Sequence, residues 1–136
     1  MDLTHKYCMM CKDATEIQKT WEKSFGDFVC VRLRKRATTV DMLDRDKNTG
    51  GAYQKKCFWL PRQDQLQELL NQILIADDMW WEELTPDRKL FYFNSYVRLR
   101  HATVPNMTFE QLWLSFIMKN IYNKVWGETC WRLCTL

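Results

Sequence analysis

Apolar residues recur along this chain with two different periods, and each change of period marks an element boundary. Tyr7, Met10, Ala14, Ile17 and Trp21 fall at helical spacing and predict an amphipathic helix over roughly residues 4–23. Phe25-Gly26-Asp27 ends it, because glycine can carry the backbone past a helix terminus. From Phe28 the period drops to two. Val29, Val31 and Leu33 alternate with Cys30, Arg32, Arg34 and Arg36, the pattern of a strand with one buried face. Thr38 to Leu43 forms a second extended piece. Asp44 to Gly51 reads as a turn from its Asp, Asn and Gly content, and Tyr53 to Leu60 returns as a strand. Together these predict an antiparallel sheet of about three strands.

The sharpest boundary lies at Pro61. The aromatic run Phe58-Trp59-Leu60 meets a residue that lacks a backbone donor and suits the start of a helix. Leu66, Leu69, Leu70 and Ile73 then follow at i, i+3, i+4 and i+7, the spacing of a single buried helical face. Asp77 to Glu83 reads as a linker whose Trp80-Trp81 pair closes the core edge. Thr85-Pro86-Asp87 opens the next helix with a cap, a first-turn proline and a dipole-favoured acid. That helix runs through Leu90, Phe93 and Val97 towards Ala102. Thr108 and Gln111 form a capping-box pattern ahead of a wide apolar stripe from Phe109 to Ile121. The tail places Trp126 and Trp131 around Gly127, as a hairpin or an irregular arm. The sum is an α+β fold in which about four helices pack with a small antiparallel sheet.

At 136 residues the chain has the length of one domain, residues 1–136, with a core that needs no staples. Hydrophobic residues make up 46% and aromatics 14%, a load that excludes disorder. A net charge of +3 names no partner, so any nucleic-acid case rests on where the charges lie. No apolar run reaches the ~20 residues of a membrane span. The N-terminal residues lack the apolar core of a signal peptide, so the expected location is the cytoplasm. There the six cysteines are reduced thiols or metal ligands.

Cys8 and Cys11, together with Cys130 and Cys134, could give four thiolates to one zinc if the termini meet. The preferred reading is six ordinary cysteines, several of them buried as small hydrophobes, and no cofactor. A basic group, Arg32, Arg34, Lys35 and Arg36 with Lys55 and Lys56 on the partner strand, could face phosphates or an acidic protein patch. The plainer alternative is a solvated outer face that guards a sheet edge. An aromatic group, Trp80, Trp81, Tyr92 and Tyr96, accompanies the consecutive residues Leu90, Phe91, Tyr92 and Phe93. One helix face cannot bury all four of these. The preferred reading is a helix at the centre of the fold; the alternative is an aromatic patch facing a partner. His5 and His101 show no sequence link to a triad. No phosphate loop, dinucleotide fingerprint or HExxH motif is present, and no enzyme is expected.

Glu16-Ile17-Gln18 with Trp21 and Gly26-Asp27, the segment Phe58 to Leu70, and the segment Phe109 to Trp131 share a pattern. In that order they resemble a family of small proteins encoded by phages and prophages of Firmicutes, to which no function is generally assigned. The stretch from Asp77 to Met107 is the least similar. The resemblance implies a viral or prophage origin, the cytoplasm of a bacterial host and an accessory role, and it supplies no catalytic residue. The expected function is therefore non-enzymatic binding of a host protein or ribonucleoprotein complex. A defence nuclease complex, as an anti-CRISPR-like inhibitor would engage, is the first partner class. The alternative is a nucleic-acid-binding regulatory protein that uses the basic strand.

Overall fold

The computed structural model describes residues 1–34, 37–43, 57–76, 85–100 and 106–135; of these, residues 32–34, 37, 38, 75, 76 and 100 are described by backbone alone. Five helices and five strands follow one another in the order α1 (His5–Asp13), α2 (Thr15–Lys19), β1 (Phe28–Arg34), β2 (Ala37–Met42), β3 (Cys57–Leu60), α3 (Gln63–Ala76), α4 (Pro86–Arg100), α5 (Phe109–Tyr122), β4 (Lys124–Gly127) and β5 (Cys130–Leu133). The class is α+β, as the two periods imply. No helix among the described residues is long and apolar enough to cross a membrane.

The first helical stripe is two helices rather than one. Ala14, at φ −79° and ψ 67°, leaves the helical region and separates α1 from α2. The apolar residues on either side stay in phase, so Tyr7, Met10, Ala14 and Ile17 are all buried and Trp21 half-buried. The three-stranded sheet is antiparallel in the order β2-β1-β3. Phe28 stands opposite Met42 on one side and Leu60 on the other. Cys30 is buried along with Val29 and Val31, so the expected inside-outside alternation does not hold there. Cys30 joins the main core beside α1, while Val29 and Val31 are buried outside that cluster. Both sheet faces are therefore covered at these positions.

The tail resolves into a hairpin. Its β4–β5 ladder runs from Lys124↔Leu133 to Gly127↔Cys130, following a left-handed C-cap at Asn123. It docks on α1, where the Trp131 backbone N–H donates to Asp13 Oδ2 at 2.7 Å and its indole N–H to the Met10 carbonyl at 2.8 Å. The two chain ends thus meet. They are pinned a second time by Asp2, which accepts from Thr4 N at 2.9 Å, Thr108 Oγ1 at 2.6 Å and Gln111 Nε2 at 2.6 Å. Thr4 and Thr108 are the N-caps of α1 and α5, so one carboxylate ties two helix starts together. Gln111 therefore leaves the predicted capping box half-made. Its backbone N–H donates to Thr108, but its side chain turns to Asp2.

Candidate functional site

The break at Ala14 sets up the most organised polar region of the molecule. Just beyond it, Gln18 Nε2 donates to the Cys11 carbonyl at 3.0 Å, one of the acceptors that the last turn of α1 leaves without a helical partner. The same amide reaches β3, donating to the Trp59 carbonyl at 2.9 Å and accepting from the Trp59 N–H at 2.9 Å. β3 is an edge strand, and Gln18 covers that edge with a two-point imitation of a neighbouring strand. Tyr7 adds a third tie, its hydroxyl donating to the Pro61 carbonyl at 2.6 Å. Burial pushes the Tyr7 phenol well above its ordinary range, so it stays a donor.

Gly26, at φ 91°, takes a left-handed turn open to glycine and delivers Asp27 into the fold. The Asp27 carboxylate is buried and fully engaged. Oδ2 accepts from the Trp21 indole at 2.9 Å and from Ser24 N at 3.0 Å, and Oδ1 accepts from Gln65 Nε2 at 2.7 Å. Gln65 also reaches back to the Arg62 N–H at 2.9 Å and so caps α3. With both oxygens committed, Asp27 is a structural anchor rather than a general base.

These contacts shape a cleft of about 430 Å³ between the Thr20–Ser24 turn and α3. Its wall is the pair Trp21 and Trp59, stacked with ring centroids 6.2 Å apart and planes within 4°. Four carboxylates line it, Glu22, Asp27, Asp64 and Glu68, with no lysine, arginine or histidine among the described lining residues. Two cations border it. Arg62 grips Asp64 through Nε at 3.1 Å and Nη2 at 3.3 Å, which holds that carboxyl below its ordinary value. Lys23 Nζ lies 5.4 Å from the centroid of the Trp21 ring.

A second surface is formed by α4. Contrary to the expectation of a central helix, α4 lies at the surface. Phe93 is its inward anchor, stacked on Trp113 with centroids 3.9 Å apart, and half-buried Lys89, Tyr96 and Val97 flank it at helical spacing. Tyr96 packs edge-on against Phe116 at 5.5 Å, so it belongs to the core side of the helix rather than to a free face. The outer side carries Leu90, Phe91 and Leu99, which are 54%, 66% and 82% exposed. Tyr92 is exposed as well and meets Phe91 edge-on at 5.7 Å.

The sequence-derived candidates fare unevenly. Lys35, Arg36, Lys55, Lys56, Trp80, Trp81 and His101 lie outside the described residues, as does the turn from Asp44 to Gly51. Arg32 and Arg34 are described by backbone alone and pair with Thr38 and Ala37 of β2. The register shifts between them, an irregularity that interrupts strict alternation along the basic strand. Cys8 and Cys11 are buried in α1; the contact with Cys30 and burial push the Cys8 thiol up, and burial pushes the Cys11 thiol up. Cys134 instead accepts from Lys119 Nζ at 2.9 Å. The four cysteines of the zinc alternative do not converge, and no group of three or more His, Cys, Asp or Glu able to hold a metal occurs among the described residues.

Sequence reasoning did not single out Gln18, Trp21, Asp27 or Gln65 as one site. The signal available was polar residues, Gln18 and Asp27, placed against apolar neighbours. Comparison with known proteins finds no matching family model, no matching curated protein and no matching solved structure, so function has to be read from chemistry and geometry.

Proposed function

We propose that this chain is a non-enzymatic accessory protein of phage or prophage origin that binds a host protein through the outer face of α4. The observation that carries this is the exposed apolar surface of one helix, centred on Phe91 with Leu99 two turns on. Single exposed apolar residues are ordinary. Phe91 packed edge-on with exposed Tyr92, Leu99 two turns on and exposed Arg98 on the same helix have the make-up of a contact surface: an aromatic centre with an arginine beside it. Such a surface suits a partner patch that is apolar at its middle and acidic at its edge. Within bacterial hosts, a defence nuclease or ribonucleoprotein complex is the partner class this role favours.

The test is affinity capture from a nuclease-treated bacterial lysate, with the wild type, Phe91→Ala/Leu99→Ala and Arg32→Glu/Arg34→Glu/Arg36→Glu as parallel baits. A host complex held by the wild type and the arginine variant, but lost by the α4 variant, supports the proposal. A complex retained by the α4 variant sinks it.

One observation favours a second function, nucleic-acid binding. Arg32 and Arg34 lie on β1 opposite Thr38 and Ala37 in its antiparallel pairing with β2. A two-stranded ribbon of that kind can enter a major groove. Binding through it weakens steeply as salt rises, whereas an aromatic protein contact does not.

A further inference from the structure

The cleft between the Thr20–Ser24 turn and α3 shares no residue with the α4 face and has a chemistry of its own. We propose that it is a docking site for an arginine-bearing peptide segment of a partner protein, with the guanidinium over Trp21 and between the Glu22 and Glu68 carboxylates.

Charge complementarity selects the ligand class. Of the four carboxylates lining the cleft, Asp27 is consumed by its three donors and Asp64 is gripped by Arg62. Glu22 and Glu68 are exposed; among the described residues Glu68 accepts from the neutral amides of Asn71 and Gln72, both at 3.4 Å. Among the described residues, no ion pair engages Glu22 or Glu68, and their charge is concentrated on the rim. The carboxylates do not converge into a metal cage, because no cluster of metal-ligating residues occurs among the described residues. The complement is an organic cation.

The aromatic wall narrows the choice. An indole face attracts ammonium and guanidinium groups through its quadrupole. The chain's own Lys23 ammonium already rests over the Trp21 ring. Lys23 is exposed and stands at the border of the cleft, outside its lining, so it holds that indole weakly and a better cation displaces it. Guanidinium is that better cation: its plane stacks on indole while its edge pairs with a carboxylate at two points. The volume of about 430 Å³ accommodates an arginine side chain with its adjoining backbone, within the usual range for ligand sites.

The wall is also held in place before any ligand arrives. Trp21 is fixed by Asp27 and by its stack on Trp59, and Trp59 is fixed by Gln18. A rigid aromatic anchor loses little entropy on binding. Trp59 lines the cleft at only 7% exposure, and its indole N–H has no hydrogen-bond partner among the described residues.

Fluorescence anisotropy of the full chain with a labelled arginine-rich glycine–serine peptide tests the proposal, using lysine and citrulline peptides as comparisons. Binding in the order arginine, lysine, citrulline is expected, because citrulline keeps the shape and loses the charge. Glu22→Gln/Glu68→Gln, which removes charge from exposed positions, weakens the arginine peptide roughly tenfold. Lys23→Gln vacates the Trp21 face and tightens binding about threefold, while Lys19→Gln, an equal change in net charge, has no such effect. Equal binding of the citrulline peptide, an unchanged affinity in the double glutamine variant, or identical shifts for Lys23→Gln and Lys19→Gln would each overturn the site. Tighter binding of spermidine than of the arginine peptide would overturn the peptide assignment. The α4 variants leave this binding unchanged, so the failure of one proposal is distinguishable from the failure of the other.

Discussion

Around β3 the chain buries polar groups, whereas on α4 it exposes apolar ones, and the two departures from the ordinary inside-outside rule have different consequences. Beside β3, the buried oxygens of Asp27 and the amide of Gln18 are each matched by donors or acceptors. Such a network stabilises only while complete, since removing one member strands the rest in a water-poor setting. On α4 the exposed Leu90, Phe91 and Leu99 remain in solvent in the folded chain, so little hydrophobic stabilisation depends on them. Buried polarity therefore fixes shape, and exposed apolarity is available for association. The cleft joins the two roles, because its tryptophan wall is held by the buried network while its acidic rim is open to solvent.

The largest expected effect contrasts neighbours on α4. Phe93 is 3% exposed and stacked on Trp113, so Phe93→Ala costs about 3–5 kcal/mol, measured as a fall in the urea midpoint at unchanged slope. If Phe93→Ala proves nearly neutral, α4 is not seated on α5 as described.

Next in size is Gln18→Ala, which leaves the Trp59 N–H and carbonyl and the Cys11 carbonyl without their partner. The expected loss is roughly 2–3 kcal/mol, and faster amide exchange at Trp59 should accompany it. Protection at Trp59 equal to that of the wild type would show that another group covers the β3 edge.

A smaller effect concerns Asp2 and depends on pH. Burial pushes its carboxyl up, but the hydrogen bonds from Thr108, Thr4 and Gln111 more than offset this, and the group titrates below its ordinary value. A depressed folded-state value means that the stabilisation is fully present above the unfolded carboxylate pKa of about 4 and is lost as the pH falls through the folded value. Asp2→Asn should lower stability by about 1 kcal/mol near neutrality and give a shallower acid limb in thermal melts taken across pH. Parallel acid limbs for the two proteins would remove Asp2 from the account of acid stability.

Phe91→Ala should change stability least, within about 0.5 kcal/mol, while abolishing capture of the α4 partner. An early melt for this variant would mean that the outer face of α4 is part of the core, and the contrast between the two regions would collapse.

How much of this was readable in advance follows from the range of the interactions involved. The helical stripes of α3 and α5, the strand-to-helix switch at Pro61 and the Thr108 cap depend on residues within about four positions of one another, and all appear where the pattern puts them. The break at Ala14 was hidden because alanine is the best helix former and the apolar stripe stays in phase across it. The burial of Cys30 was hidden too, since a period of two cannot reveal that α1 and further structure cover both sheet faces. For α4, four consecutive apolar residues show that one face is insufficient but not which residue turns inward.

The α+β class and the kind and order of most local elements follow from the chain alone, because hydrophobic period, proline chemistry and capping act over a single turn or strand. It took the packing of whole elements to settle that Gln18 covers the edge of β3 from 41 positions away. The same packing settled that Asp27 locks Trp21 and Gln65 together, and that Phe93 rather than Phe91 enters the core. Those outcomes depend on how whole elements pack against one another, and pairings between distant positions leave no periodic trace in the chain.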